Sequence, residues 1–182
     1  KINRVERFIY ISSVSIYEFS WKEKKNITEN SEINPSNIYG KTKLESEIFI
    51  KKEFKGSNTY FTIFRPPIIY GKNAPGNISK LIKLVDSKFP LPFRNFNNKK
   101  SLLSVNNFAS AINISLENDN TKNKIYNLSD DEVISTSEII KLITMSRNIR
   151  LFLIGVPEIL IKFFANLPYI GIILLKLNHS IK

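Results

Sequence analysis

Two side chains that could move a proton together lie four residues apart in the first half of the chain. Tyr39 and Lys43 fall in a segment that predicts a helix, so both would lie on one helix face. A lysine ammonium beside a phenol favours the phenolate, which can exchange protons with a substrate hydroxyl near neutral pH. Ser13 could hold that hydroxyl by a hydrogen bond. The spacing alone is weak evidence, because a chain this rich in lysine would contain such a pair by chance.

The composition removes several other classes of active site. There are no cysteines, which excludes disulfides, thiolate metal sites and a cysteine nucleophile. The single histidine, His179, lies close to the end of the chain, so no histidine metal site and no Ser-His-Asp triad is expected. The net charge of +11 comes mainly from lysines spread over the whole chain, which favours solvated surface over a nucleic-acid partner.

Strand and helix patterns alternate along the chain, and this alternation predicts an α/β fold with a mainly parallel sheet. Four strands are predicted, at residues 5–12, 59–64, 101–105 and 124–128. Four helices are predicted, at residues 37–55, 78–87, 106–116 and 136–145. Ser36 is the predicted N-cap of the first helix.

Three segments follow strands or open a helix at positions where such folds place chemistry. Ligands of open α/β sheets bind at the carboxyl ends of the strands. The segments are residues 12–17, 39–43 and 65–71. The Tyr39–Lys43 pair gains weight from this order: a serine pair ends a buried strand, the tyrosine opens a helix, and a second strand ends in Arg-Pro-Pro.

The motifs occur in an order that is recognisable. They read RFIYISSVSIYE, NPSNIYGKTKLESE, FRPPIIYG, GNISKLIKLV, FPLPF and KKSLLSVNNFASAI. From Arg7 to Met145 the chain resembles the NAD-dependent epimerase/dehydratase family, the extended short-chain dehydrogenase/reductases, and within it the bacterial UDP-sugar 4-epimerases. The resemblance implies the C-terminal part of a Rossmann-like doubly wound parallel sheet plus a small α/β substrate-binding region. The expected divisions are 1–75 for the second half of the Rossmann-like domain, with the catalytic serine and the Tyr-x-x-x-Lys pair, and 76–146 for a substrate-binding region interleaved with the Rossmann core. Residues 147–182 are expected to form an apolar helical tail.

The resemblance implies roles for four residues of the catalytic half. Ser13 matches the family's active-site Ser/Thr, which also contacts the substrate, and Tyr39 matches the catalytic acid/base. Lys43 matches the lysine that binds the nicotinamide ribose and favours the phenolate. Pro66 lies where the backbone passes the nicotinamide. The implied cofactor is NAD, with NADP as the alternative.

The resemblance also implies substrate contacts in the next region. Asn77 matches a residue that contacts the sugar-nucleotide diphosphate, although it could simply be a turn residue. Phe93 lies in a stretch that follows the nucleotide base, although it could be a core residue. Lys100 stands where many members have an arginine for phosphate. Asn106 stands where the family usually has an Asp, and Ile68 stands where many members have an Asn. These two differences affect the expected substrate more than the expected type of reaction.

The activity implied by the resemblance is epimerisation of a nucleotide sugar, most simply a UDP-sugar, through a 4-keto intermediate. A 4-reductase or dehydratase on the same scaffold is the alternative. Dehydratases of the family usually carry Asp-Glu after the active-site Ser/Thr, and Val14 and Ser15 stand there instead. A non-catalytic binding protein is the alternative from another class. A homodimer in the cytoplasm is expected for the full-length protein.

Two features at the ends of the chain bear on completeness. No Gly-x-x-Gly-x-x-Gly motif follows a strand, and all six glycines are isolated. Because that motif seats the cofactor pyrophosphate, we expect the chain to be an N-terminally truncated fragment, with weak NAD binding and little activity in isolation. Phe163–Leu175 carries no charge but is short for a membrane span, so buried or interface helices are favoured and membrane contact is the minor interpretation.

Overall fold

The computed structural model describes residues 5–17, 26–72, 76–96 and 98–155. Helices and strands alternate along these residues. The helices are α1 (Ile38–Glu53), α2 (Asn77–Asp86), α3 (Val105–Glu117) and α4 (Thr136–Ser146). The strands are β1 (Arg7–Ile11), β2 (Tyr60–Arg65), β3 (Ile68–Tyr70), β4 (Lys100–Ser104), β5 (Lys124–Asn127) and β6 (Val133–Ile134). The predicted α/β class is confirmed.

The first compact unit contains the described residues up to Gly71 together with Leu102–Asp131. A parallel sheet of order β1-β2-β5 runs through it. The last residue of β2, Arg65, is paired with the last residue of β5, Asn127. β2 is buried from its second residue onward because it lies between two strands and is covered on both faces.

The two faces of this sheet are covered by different helices, as the alternation of side chains along β2 requires. On one face, Phe61 and Ile63 pack with Ile50 of α1. On the other face, Phe64 packs with Phe108 of α3, the two rings meeting edge to face with centroids 6.4 Å apart. α1 follows β1 and leads into β2, so a crossover helix holds two parallel strands in register.

The start of α1 is fixed by an asparagine rather than by the predicted serine. Asn37 has extended backbone angles, and its side-chain oxygen accepts a hydrogen bond of 2.9 Å from the N–H of Gly40. The prediction of Ser36 as N-cap was therefore wrong by one residue. Asn and Ser cap helices about equally well, so their order in the sequence does not decide between them.

The second compact unit contains Lys72–Ser101 and the chain from Glu132, of which residues up to 155 are described. α2 packs against α4, and their buried residues include Leu81, Val85, Ile139 and Ile140. α4 begins with a capping box in which Ser135 and Glu138 exchange hydrogen bonds. Leu91 forms a parallel bridge with Leu153, which ties the end of the described chain to the segment after α2.

Two short strands were not predicted. β3 pairs in parallel with the second part of β4, with Ile68 opposite Leu102. β6 pairs antiparallel with the first part of β4, with Ile134 opposite Lys100. β3 has three residues and directly follows two prolines, and β6 has two residues, so neither forms a run long enough to be recognised from alternation.

Part of the predicted organisation lies outside the described residues. This applies to residues 156–182 of the predicted apolar tail, which include His179 and Phe163–Leu175. Within the described ranges, none of the helices has the length and apolar character needed to cross a membrane.

Candidate functional site

Ser13 belongs to a short 3-10 turn, Val14–Ile16, that follows β1. The N–H of Ser15 donates to the Ser13 hydroxyl oxygen at 3.1 Å, and the Ser13 hydroxyl donates to the hydroxyl of Ser15 at 3.1 Å. The N–H of Val14 donates to the carbonyl oxygen of Pro66 at 3.2 Å. Ser13 is therefore held at the carboxyl edge of the sheet, with the backbone of Pro66 directly against its turn.

Tyr39 and Lys43 lie in the first turns of α1, as predicted. Tyr39 is 56% exposed. The Lys43 ammonium donates a hydrogen bond of 2.8 Å to the carbonyl oxygen of Ile11. It lies 5.0 Å from the ring centroid of Tyr10 and 5.8 Å from that of Tyr39. The cation is thus placed at the end of β1, beside the phenol that could exchange a proton.

Gly40 allows α1 to approach the Ser13 turn closely. A Cβ at this position would lie 2.2 Å from the carbonyl oxygen of Ser15 and 2.9 Å from Cβ of Pro35. Cβ atoms essentially never come this close to backbone oxygen, so only glycine fits between the two segments. Because Gly40 follows Tyr39 directly, this contact brings the tyrosine and the serine turn to the same edge of the sheet.

Ser12 adds a further hydroxyl to this edge of the sheet. From the sequence, Ser12 was expected only to end a strand. Its N–H continues the ladder by donating to the carbonyl oxygen of Phe64 at 2.7 Å. Its side chain is buried, and its hydroxyl oxygen has no hydrogen-bond partner within the part of the chain that the structure describes. Buried polar atoms are usually paired, so such a hydroxyl is available to a bound molecule.

A buried polar network beneath the site was missed by the sequence analysis. Arg65 donates to both carboxylate oxygens of Glu47, from Nε at 2.9 Å and from Nη2 at 2.6 Å. Its Nη1 donates to the phenol oxygen of Tyr17 at 2.6 Å, and that hydroxyl donates to Oδ1 of Asn127 at 2.9 Å. Burial disfavours the charged form of Arg65, but the carboxylate outweighs it and the pKa of Arg65 lies above its ordinary value.

The remaining predicted residues belong to the second unit. Asn77 is the first residue of α2. Phe93 is 2% exposed, its ring meets Phe96 edge to face at 5.0 Å, and its carbonyl oxygen accepts a hydrogen bond from the hydroxyl of Ser137. Lys100 is 3% exposed, and burial lowers its pKa to about 8. The structure thus brings Ser13, the tyrosine–lysine pair and Pro66 to one edge of the sheet. Asn77, Phe93 and Lys100 belong to the second unit instead.

Two positions that depart from the family pattern have plain structural roles. Ile68 is the first residue of β3 and Asn106 is an exposed residue in the first turn of α3. No three His, Cys, Asp or Glu side chains in the described ranges are grouped in a way that could hold a metal ion.

The profile of the NAD dependent epimerase/dehydratase family matches residues 1–129, which is more than two thirds of the sequence. The chain belongs to this family. It is 29% identical over 164 residues to a UDP-glucose 4-epimerase of Vibrio cholerae, covering 90% of this chain and 50% of that protein. It is also 30% identical over 149 residues to an N-acetyl-alpha-D-glucosaminyl-diphospho-ditrans,octacis-undecaprenol 4-epimerase of Escherichia coli O157:H7. This match covers 80% of this chain and 44% of that protein.

Solved structures support the same fold. A UDP-glucuronic acid 4-epimerase from Bacillus cereus, in complex with UDP-glucuronic acid and NAD, superposes with a TM-score of 0.71 at 22% identity, covering 86% of this chain and 51% of that one. At this identity the likeness establishes the Rossmann-like fold alone. The chain spans about half the length of the relatives it matches.

Proposed function

We propose that the protein carrying this chain is an NAD-dependent nucleotide-sugar epimerase that inverts the C4 position through a 4-keto sugar. The observation that supports it most directly is the placement of the Lys43 ammonium between the carbonyl of Ile11 and the ring of Tyr39. A cation fixed beside an exposed phenol, at the carboxyl edge of a parallel sheet, is an arrangement suited to proton exchange with a hydroxyl. The names of the two similar proteins, both 4-epimerases, agree with this proposal.

Each of the three catalytic residues has a defined task in this proposal. Tyr39, as the phenolate, takes the proton of the sugar C4 hydroxyl and later returns it. Lys43 places its positive charge 5.8 Å from the ring centroid of Tyr39, where it stabilises the negative charge that develops during the reaction. Ser13 holds the C4 oxygen by a hydrogen bond, for which its hydroxyl turns away from Ser15, 3.1 Å distant.

The donors at this edge fit a nicotinamide cofactor. An ammonium has three N–H donors, and among the described residues the hydrogen bond of Lys43 to Ile11 uses one, which leaves donors for ribose hydroxyls. Pro66 lies against the Ser13 turn, where we place its backbone beside the nicotinamide. The buried hydroxyl of Ser12, which has no hydrogen-bond partner among the described residues, lies at the same edge. Bound NAD supplies the hydride acceptor and donor. NADP is the alternative.

We propose a UDP-sugar as the substrate, since UDP appears in the names of the Vibrio cholerae and Bacillus cereus proteins. Asn77 and Lys100 are assigned to the diphosphate and Phe93 to the nucleotide base. For Phe93 the burial of the ring favours a contact through the backbone of its segment rather than through the ring face. The proposed protein is a cytoplasmic homodimer in which the substrate-binding region within residues 76–146 is interleaved with the Rossmann-like core.

The proposal is tested on the complete gene product, purified and incubated with a panel of UDP-hexoses and UDP-N-acetylhexosamines. The expected result is interconversion of one C4 pair without net consumption of NAD, and loss of at least about 100-fold in kcat for Tyr39→Phe. Tyr60→Phe, a tyrosine on β2 outside the site, is the matched control and should keep its activity.

The same assay separates the alternatives. A reductase would consume reduced cofactor in proportion to product, whereas an epimerase regenerates it in each turnover. If the complete gene product turns over no nucleotide sugar with either cofactor, or if Tyr39→Phe is as active as Tyr60→Phe, the proposed function is wrong and a non-catalytic role becomes the better hypothesis.

A further inference from the structure

The buried ion pair between Arg65 and Glu47 connects the sheet to the helix that carries the proton-transfer residues. Glu47 is entirely buried and Arg65 is 1% exposed. Two parallel hydrogen bonds, of 2.9 and 2.6 Å, join the guanidinium to the carboxylate. A bidentate pair of this kind fixes both the distance and the relative rotation of the two groups.

Glu47 continues the series begun by the two predicted catalytic residues. Residues 39, 43 and 47 are spaced at four, so Tyr39, Lys43 and Glu47 form one stripe along α1. Fixing Glu47 against the last residue of β2 therefore sets the rotation and the height of this stripe over the sheet. A rotation of α1 about its axis would move the Lys43 ammonium away from the carbonyl of Ile11.

Arg65 also holds the serine turn. Its Nη1 donates to the Tyr17 hydroxyl at 2.6 Å, and Tyr17 ends the turn that begins at Ser13. The next residue, Pro66, accepts the hydrogen bond from the N–H of Val14. One side chain thus connects α1, through Glu47, to the Ser13 turn, through Tyr17.

Stability alone is a poor explanation for such a pair. Removing two charges from water has a desolvation penalty that their attraction often fails to repay, and apolar residues of similar volume frequently stabilise a fold as well or better. What apolar side chains do not supply is a directional contact, because the hydrophobic effect is non-directional. The geometry of Arg65 is therefore better suited to alignment than to stabilisation.

We propose that Arg65, Glu47 and Tyr17 are positioning residues that hold Tyr39 and Lys43 at the correct distance from Ser13. This inference rests on the proposed function, since it assigns these residues to the same proton-transfer site. None of the three is assigned a contact with substrate or cofactor. They act through the placement of α1 and of the serine turn relative to each other.

The test compares Glu47→Gln and Tyr17→Phe with Glu45→Gln in the complete gene product. Glu45 is an exposed residue of the same helix, so its substitution is the matched control. Tyr17→Phe keeps the ion pair and removes only the phenol oxygen, so it remains informative if Glu47→Gln fails to fold. Measurements are kcat and KM for the nucleotide sugar, NAD affinity, and the midpoint of thermal unfolding.

The expected result is a fall in kcat of about 10- to 100-fold in both variants. KM and NAD affinity should stay within about twofold of the control, because misplacement of reacting groups affects turnover more than binding.

A purely structural role would instead lower the unfolding midpoint and leave kcat per folded molecule unchanged, and that outcome would overturn the inference. Tyr39→Phe is measured alongside. If it keeps full turnover, the proposed function fails, and the inference with it. If it loses turnover while Tyr17→Phe and Glu47→Gln match the control, only the inference fails.

Discussion

The ammonium of Lys43 donates a hydrogen bond of 2.8 Å to the carbonyl oxygen of Ile11, the last residue of β1. A side chain on the crossover helix is thereby attached to the carboxyl end of the strand that precedes that helix. This contact explains how a lysine on an otherwise exposed helix start keeps one position, with its charge 5.8 Å from the ring centroid of Tyr39.

Replacing this lysine with an apolar residue of similar length should remove most of the activity. For Lys43→Met we expect kcat to fall by about 100- to 10,000-fold, because the proposed proton transfer at Tyr39 loses its neighbouring positive charge. NAD affinity should fall as well, because the donors that we propose for the ribose are lost. The checks are steady-state kinetics and NAD titration of the complete gene product.

Lys41→Met is the matched control, since Lys41 is an exposed residue in the same turn of α1. If both methionine variants have the same kcat, the charge of Lys43 has no role in the reaction.

Gly40 should tolerate no side chain, because the space beside it is occupied by backbone. Gly40→Ala would place Cβ 2.2 Å from the carbonyl oxygen of Ser15, and α1 or the serine turn would have to move. We expect a loss of about 1–3 kcal/mol in the free energy of unfolding, the usual cost of overpacking, and a lower kcat from the displaced segments.

Gly155→Ala is the comparison for this substitution. Its added Cβ would meet the end of the Asn95 side chain at 3.1 Å, which can rotate away. Denaturant unfolding of the two variants should therefore differ. Equal stability of Gly40→Ala and the wild type would show that the serine turn is free to shift.

The order of helices and strands could be predicted from the sequence because it depends on local patterns. The roles of Ser13, Tyr39 and Lys43 come from the resemblance to the family and stay predictions. The first helix was expected at 37–55 and runs from Ile38 to Glu53, and the second strand was expected at 59–64 and runs from Tyr60 to Arg65. Runs of apolar β-formers and helical spacing determine such elements with few long-range contacts.

The network around Arg65 could not be predicted in the same way, because its partners are distant in the sequence. Glu47 is 18 residues away and Tyr17 is 48 residues away. The signal available in the sequence was that Glu47 follows Lys43 by four residues. This spacing places a carboxylate on the face of α1 that lies against the sheet. A buried charge on such a face requires a partner.

Lys100 should make stability depend on pH in the alkaline range. Burial lowers its pKa from 10.5 to about 8. Between these values the unfolded chain binds more protons than the folded protein, so the free energy of unfolding should rise as pH increases from about 8 to about 10.5. Below about pH 8 both states carry the proton, so this contribution to stability no longer changes with pH.

Lys100→Met should therefore be more stable than the wild type at pH 7, by about 1–3 kcal/mol, and should lack the rise above pH 8. Urea unfolding at about pH 7 and pH 10 checks this, with Lys83→Met, an exposed lysine of α2, as the control. A methionine variant less stable than the wild type at pH 7 would show that the charged amine contributes favourably to the fold.

Asp130 should make the stability of the protein depend on pH in the acid range. Its carboxylate accepts hydrogen bonds from the N–H of Ser104 at 3.0 Å, the side-chain amide of Asn107 at 2.7 Å and the hydroxyl of Tyr70 at 2.9 Å. Partial burial opposes ionisation, but these donors outweigh it and hold the pKa of Asp130 below its ordinary value of 3.8.

A carboxylate with a lowered folded-state pKa stabilises the protein at pH values above its unfolded pKa, and this contribution is lost as pH falls through the folded-state value. Asp130→Asn places an amide N–H₂ where an acceptor is needed, so we expect a loss of about 1–3 kcal/mol at pH 7. The difference from the wild type should shrink as pH falls below about 4. Thermal unfolding at several pH values measures this difference in stability. Asp131→Asn, a substitution of the exposed neighbouring residue, is the control. A constant difference at every pH would mean that the ionisation of Asp130 has no part in holding the start of α3 to the end of β3.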